Sequence, residues 1–246
     1  MGGRYLAAAR SRRNSLVERL HRDEAFSGFW RADATGERPF FHAVDAGLPV
    51  VALLRYVAVE PDARLREEAT RAVLASLQFE LAITREVANP FGYARQYVRD
   101  LGQGKRSAFF FPHQNESGYW WEGESARLAS LSAAAFLGGR RAPPELRREL
   151  EAYANDQLDW TFGLNPFDAC MLHGKGRNNS WYMFFGYWEY MNSPGGICNG
   201  ITAGMRDEHG IDFNLPYAET GGDHDWRWGE QWLPHSSWYL AAVAAR

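Results

Sequence analysis

Residues 63–84 read ARLREEATRAVLASLQFELAIT, and the spacing of their apolar side chains decides the kind of fold. Alanine, valine, leucine and phenylalanine return every three or four positions, while Arg66, Glu67 and Glu68 fall on the wet side. That is the period of a half-buried helix, not the alternation of a strand. The same period recurs on either side. It runs from Arg4 to about His21, and from Asp45 through LPVVALLRYVAV, where Pro49 suits a first turn. It returns from Glu124 to Leu137, stopped by Gly138 and Gly139, then from Pro144 to about Phe162, stopped by Gly163, and finally from Ser236 to Ala245. Short links such as VEPDAR and GGRRAPP alternate with long ones, residues 86–120 and 164–235, rich in glycine, asparagine and aromatics. Helices in series with alternating short and long connections predict an all-α chain of the α/α toroid type, with the long loops gathered over a central cleft. No linker or low-complexity tract divides it, so one domain over residues 1–246 is expected.

Composition narrows the function. With 246 residues, 46% of them hydrophobic, the chain can bury a substantial core. A formal charge of -3 provides no basic field for a phosphate backbone, so no nucleic-acid partner is expected. No apolar run approaches the roughly 20 residues that span a bilayer. The opening MGGRYLAAARSRRN lacks the apolar stretch of a secretory signal. Neither a signal peptide nor a membrane partner is therefore expected, and the compartment stays open. The two cysteines, Cys170 and Cys198, can form one bond or remain buried thiols.

Aromatics make up 15% of the chain, and every tryptophan but Trp30 lies beyond residue 119. On helices, as at Trp160 and Trp238, core filling is the plain reading. In loops, beside Gly, Asn, His and Glu, tryptophans read as a binding surface, since they stack on the apolar faces of pyranose rings. Four stretches combine such aromatics with polar groups. FFFPHQNESGYWWEGES (109–125) offers His113 and Trp120, with Glu122 and Glu124 read as complements to a helix amino terminus. GLNPFDACMLHGKGRNNSWY (163–182) offers His173 and Arg177 on a glycine-rich loop. SPGGICNGITAGMRDEHGIDF (193–213) holds Asp207, Glu208 and Asp212. Their spacing is not that of a calcium loop, so no cofactor is expected and calcium is the one ion these acids bring to mind. In the fourth, WRWGEQWLPHSSWYLAAVAA (226–245), Glu230 stands among four tryptophans, with Trp228 beside it and Asp223, Asp225 and His235 around it. A carboxylate against indole rings loses solvation, which raises its pKa towards that of a general acid. No G-x-S-x-G elbow, H-E-x-x-H, C-x-x-C or phosphate loop is present. What remains is carboxylate chemistry in an aromatic cleft, as in glycoside hydrolysis.

The order of these motifs resembles the carboxyl-terminal part of glycoside hydrolase family 9. The aromatic loop opening a helix in GYWWEGESARLASLSAAAFL comes first, then LDWTFGLNPFDACMLHGKGRN, then PGGICNGITAG followed by acidic residues, and last an Asp shortly before a Glu that opens the final helix. The likeness covers residues 118–246, with residues 1–117 resembling the preceding helices. It implies an (α/α)6 toroid of the six-hairpin glycosidase type, present here as a partial barrel, and inverting cleavage of β-linked glucans or glucosamine-containing oligosaccharides. Glu230 matches the general acid. His113, Trp120, His173, Arg177, Asp225 and Trp228 become candidate substrate contacts, with no metal. Where family cellulases carry a Pro-His-His-Arg run, this chain has SWYMFFGYWEYMNSP, which points to a short oligosaccharide rather than a long chain. The family's Asp-Ala-Gly-Asp motif, bearing the water-activating base, is absent. Asp45-Ala46-Gly47-Leu48 lacks the second aspartate, and Asp33 has no supporting pattern. The expectation is thus a carboxyl-terminal half to two-thirds of the domain, self-associating or joined to an amino-terminal part. The alternatives are a non-catalytic carbohydrate-binding remnant and a toroid fragment serving only as an assembly surface.

Overall fold

The computed structural model describes residues 2–115, 122–180, 183–184, 187–188, 193–206, 208–213 and 226–246. Trp120, Asp207, Asp223 and Asp225 lie outside them. Helices carry most of the regular structure, accompanied by small sheets. In chain order the elements are α1 (Gly2–Arg19), β1 (Leu20–Arg22), β2 (Ser27–Trp30), α2 (Leu48–Val59), α3 (Ala63–Thr84), β3 (Gln96–Arg99) and β4 (Lys105–Ala108). They continue with α4 (Ser125–Gly139), α5 (Pro144–Phe162), β5 (Met183–Phe184), β6 (Tyr187–Trp188), β7 (Thr202–Ala203), β8 (Ile211–Asp212), α6 (Trp226–Gly229) and α7 (Leu233–Ala245). Among the described residues each strand pairs antiparallel with its neighbour in sequence, giving four separate two-stranded ribbons.

The helix that opened the sequence reading, α3, begins where Asp62 accepts the backbone N–H groups of Arg64 (2.9 Å) and Leu65 (3.2 Å). Such a cap satisfies donors that the first helical turn leaves unpaired. At the centre of the fold lies α4, which packs against α2, α3, α5 and α7. Its sequence, SARLASLSAAAFLGG, is buried on nearly every side. Small side chains let neighbouring backbones come close. A Cβ on Gly47, just ahead of α2, would meet the Ser130 carbonyl oxygen at 2.0 Å, and one on Gly138 would meet Leu77 of α3 at 2.3 Å. Gly138 and Gly139 therefore do not stop α4, as their identity predicts. They form its last turn, where a side chain at 138 would have to displace Leu77, while a Cβ at 139 would make only ordinary contacts with Leu150 and Arg147 at 3.7 and 3.8 Å.

Ion pairs fasten the amino-terminal helices. Glu60, after α2, accepts two bonds from Arg10 of α1 (2.6 and 2.9 Å), and Arg13 reaches Glu68 of α3 (2.5 Å). One continuous apolar cluster runs from Trp30 through α2–α5 to Ala245. A smaller aromatic knot of Phe29, Phe79, Ile83 and Tyr97 pins the β1–β2 hairpin to α3 and β3.

The two long connections are not structureless. Residues 86–120 contain the β3–β4 hairpin, whose QYVR and KRSA segments are too short and polar to show a strand period. Residues 164–235 carry β7–β8 and isolated bridges joining Leu172 to Ile197 and Cys198 to Gln231. Cys170 and Cys198 are both buried and unbonded to each other. No described helix is long and apolar enough to cross a membrane.

Candidate active site

The site is built on an extended ribbon, residues 196–200, riveted by Asn199. The Asn199 N–H donates to the Glu230 carbonyl (2.8 Å), and its own carbonyl accepts the Ser125 N–H at the start of α4 (3.0 Å). Its side-chain amide donates to the Trp226 carbonyl (2.6 Å), while Oδ1 lies 2.7 Å from His235 Nε2. Because Nδ2 is the donor to Trp226, Oδ1 is left as an acceptor, so His235 carries its proton on Nε2. Burial lowers His235 to about 4, so the ring is neutral at pH 7 and its buried Nδ1 has no partner.

Two further bonds close the arrangement. Gly123 N–H donates to the Arg227 carbonyl (2.8 Å), and Gly200 N–H to the Trp228 carbonyl (2.9 Å). Three segments, 122–125, 196–200 and 226–231, are thus laced side by side. Only glycine fits at 123, where a Cβ would stand 2.3 Å from the Asn199 and Gly200 carbonyl oxygens. Arg227 anchors the third segment from below. Its fully buried guanidinium pairs with Asp212 of β8 (2.8 Å), donates to the Ala203 carbonyl (2.6 Å) and lies 5.2 Å from the Trp228 ring centre.

Glu230 follows α6 and is half-buried. Burial raises its pKa, with hydrogen bonds from Trp232 and Asn199 pulling the other way. No arginine or lysine pairs with it among the described residues. Glu122 is also half-buried and is raised to about 7, first by burial and then by the negative charge of Glu230. The site therefore holds two carboxyl groups that oppose each other's ionisation.

The other acids nearby are differently employed. Glu124, placed at the α4 amino terminus as the sequence predicts, does not cap it. It turns inward to Arg127 (2.6 Å), Tyr93 (3.0 Å), Gln96 and the Phe111 N–H (2.5 Å). Glu208 pairs with Arg106, and Asp212 with Arg227, which uses the charge a calcium ion would need from them. No group of three potential metal ligands occurs among the described residues.

Of the residues singled out from sequence, Glu230 and Trp228 share the α6 segment, where Trp228 is buried with its indole Nε1 unpartnered. His173 lies against the start of this ribbon, its N–H bonded to the Gly196 carbonyl (2.9 Å), three residues before Asn199. Arg177 is exposed and pairs with Asp168 at 2.9 Å. His113 is buried on another side, its N–H 3.5 Å from Glu208. Trp120 and Asp225 fall outside the described residues. The sequence does not single out Asn199, it places His235 near Glu230 without a role, and Glu122 reads there only as a complement to the α4 amino terminus. Glu122 had a signal, since WWEGE sets a carboxylate against indoles just as WGEQW does. Compared with known proteins, the sequence matches no family model and no curated protein.

Proposed function

We propose that this chain hydrolyses β-glycosidic bonds in a glucan or glucosamine-containing oligosaccharide, with inversion and with Glu230 as the general acid. Its helices in this reading form part of an (α/α)6 toroid, in keeping with the neighbour packing of α2 with α3, α4 with α5, and α7 back onto α4. The observation that carries the proposal is the state of Glu230. It is a half-buried carboxyl with a raised pKa, close in sequence to the buried Trp228 and the half-buried Trp232, and no cation among the described residues holds it ionised. Such a shift moves a carboxyl towards the range in which it can give a proton to a leaving oxygen. His173 and Arg177, with Trp120 and Asp225, are proposed to bind sugar hydroxyls and faces.

A second reading, a non-catalytic carbohydrate-binding remnant, is favoured by the two aspartates nearest the missing base motif. Asp45 accepts the Trp238 indole N–H (2.8 Å), joining the α2 entrance to α7, and Asp33 is tied up organising its own loop through Thr35, Gly36 and Arg38. The two readings part on hydrolysis of short β-linked gluco- and glucosamino-oligosaccharides, followed by proton NMR. The glycosidase releases α-anomer, and Glu230→Gln abolishes it. A remnant releases none and binds sugar equally well with or without that substitution.

A further inference from the structure

A cavity of about 460 Å³ opens between the loop that follows α3, the β3–β4 hairpin, the end of α5 and the start of β8, and neither Glu230 nor Trp228 lines it. Pockets for small molecules span roughly 300–1,000 Å³ and are walled mostly by apolar and aromatic side chains. Here the walls are rings set at angles to one another. Phe91 stands edge-on to Trp160 (ring centres 5.9 Å apart, planes at 78°), Tyr93 edge-on to Trp160 (4.6 Å), and Phe109 tilted against Tyr93 (6.3 Å). Tyr93 and Trp160 are buried, Phe91 and Phe109 are half-buried, and Ala88 and Pro166 at the rim are exposed. A flat ring entering this cavity meets the same offset and edge-to-face packing that its walls make with each other.

The polar groups of the cavity decide what the ring carries. Arg95, its guanidinium 4.9 Å from the centre of the Phe109 ring, is paired with Glu86, and Arg106 is paired with both Asp100 (2.7 Å) and Glu208. The two guanidinium groups already face three carboxylates, which leaves no cation for an acidic ligand. Asn89 spends both of its amide hydrogens, Nδ2 donating to the Thr84 carbonyl (3.1 Å) and the Tyr93 carbonyl (2.8 Å). Its Oδ1 remains at the cavity as an acceptor, with no donor bonded to it among the described residues. A sugar would bring a hydroxyl on nearly every carbon, each losing water on entry, and the aromatic walls have few partners to return. An uncharged ring with a single O–H donor fits both the walls and the acceptor. We propose that this cavity is a binding site for a phenol, an aromatic compound of one or two rings whose hydroxyl donates to Asn89 Oδ1. The site stands whether or not Glu230 is a general acid.

The test is a titration of the wild-type chain, labelled with heavy nitrogen, with three probes: β-naphthol, its methyl ether and methyl β-glucoside. The Asn89 side-chain amide and Trp160 indole N–H signals in the NMR spectrum report on the cavity. β-Naphthol is expected to move both signals and to saturate one site per chain at submillimolar concentration. The methyl ether packs as well but has no O–H to give, and is expected to bind about tenfold more weakly. Phe91→Ala, which removes one wall, is expected to weaken β-naphthol about tenfold as well. The comparison of naphthol with its ether is made on one folded protein, so a variant that fails to fold does not blur it. Equal binding of the two overturns the hydroxyl assignment. Signals that stay still as β-naphthol is added, or that move only with methyl β-glucoside, overturn the phenol site. Neither outcome touches the glycosidase reading, which is decided by hydrolysis and Glu230→Gln.

Discussion

Glu60 is buried and Glu230 half-buried, and the two answer in opposite directions. At Glu60 the Arg10 guanidinium leads, with Tyr56 and the Asp62 N–H adding to it, and the carboxyl is held down at about 2. At Glu230 burial leads, no cation among the described residues answers it, and the carboxyl is raised. The first acid is permanently charged and works as a fastener between α1 and α2. The second is shifted towards the range in which a carboxyl can exchange a proton near neutral pH, the property that the proposed chemistry requires. What separates the frame from the site is thus not burial but whether a guanidinium accompanies the carboxylate.

The contrast can be broken most severely at the site. Glu230→Gln should lower kcat on the oligosaccharide by about 10²–10⁴-fold while the melting temperature stays close to that of the wild type. Removing the fastener at the heart of the fold should do the reverse. Arg127→Met strands Glu124, both side chains being 1% exposed, and should cost about 3–5 kcal/mol in urea unfolding. The central α4 would then be the part to loosen.

Acid and base should also divide the molecule. Asp23 and Glu60 are held at about 2, Asp23 against the effect of burial by Lys105 and the Phe26 N–H, Glu60 by Arg10. The stabilisation they supply is present above the ordinary carboxylate range and is lost as pH falls towards 2. Glu80 and Glu122 are raised to about 7, both chiefly by burial. Their contribution is present below the ordinary range and is lost as pH rises through 7. Glu80→Gln should therefore flatten the decline in melting temperature between pH 5 and 8 and leave the acid side of the curve unchanged. The smallest effect is expected at the α3 cap, where Asp62→Ala should cost about 1 kcal/mol without touching turnover.

Much of the helical frame was legible because its signals are local. Asp62, Pro144 and Gly163 mark helix ends by their own backbone chemistry, and α3 and α5 show their period within one stretch of sequence. Gly138 misled because the reason for it, contact with Leu77 and Val73, lies across the fold. The β3–β4 hairpin escaped for want of apolar alternation, although the Gly102 and Gly104 turn marks its tip. At the site, Glu230 was singled out by its tryptophans, and the fold adds its half-burial. Glu122 and Glu124 look alike in WWEGES, and only the fold, which brings Arg127 to Glu124 and the charge of Glu230 to Glu122, tells them apart. Asn199 was invisible for the same reason: its bonds reach 27 and 36 residues away.

The most direct trial of this account is a titration of the labelled glutamate carboxyl carbons by NMR, in the wild type and in Glu230→Gln. The predicted result is that Glu122 titrates near 7 in the wild type and drops when the charge at position 230 is removed, while Glu60 stays near 2 in both. A Glu122 that titrates in the ordinary carboxylate range, unmoved by the substitution, would contradict it.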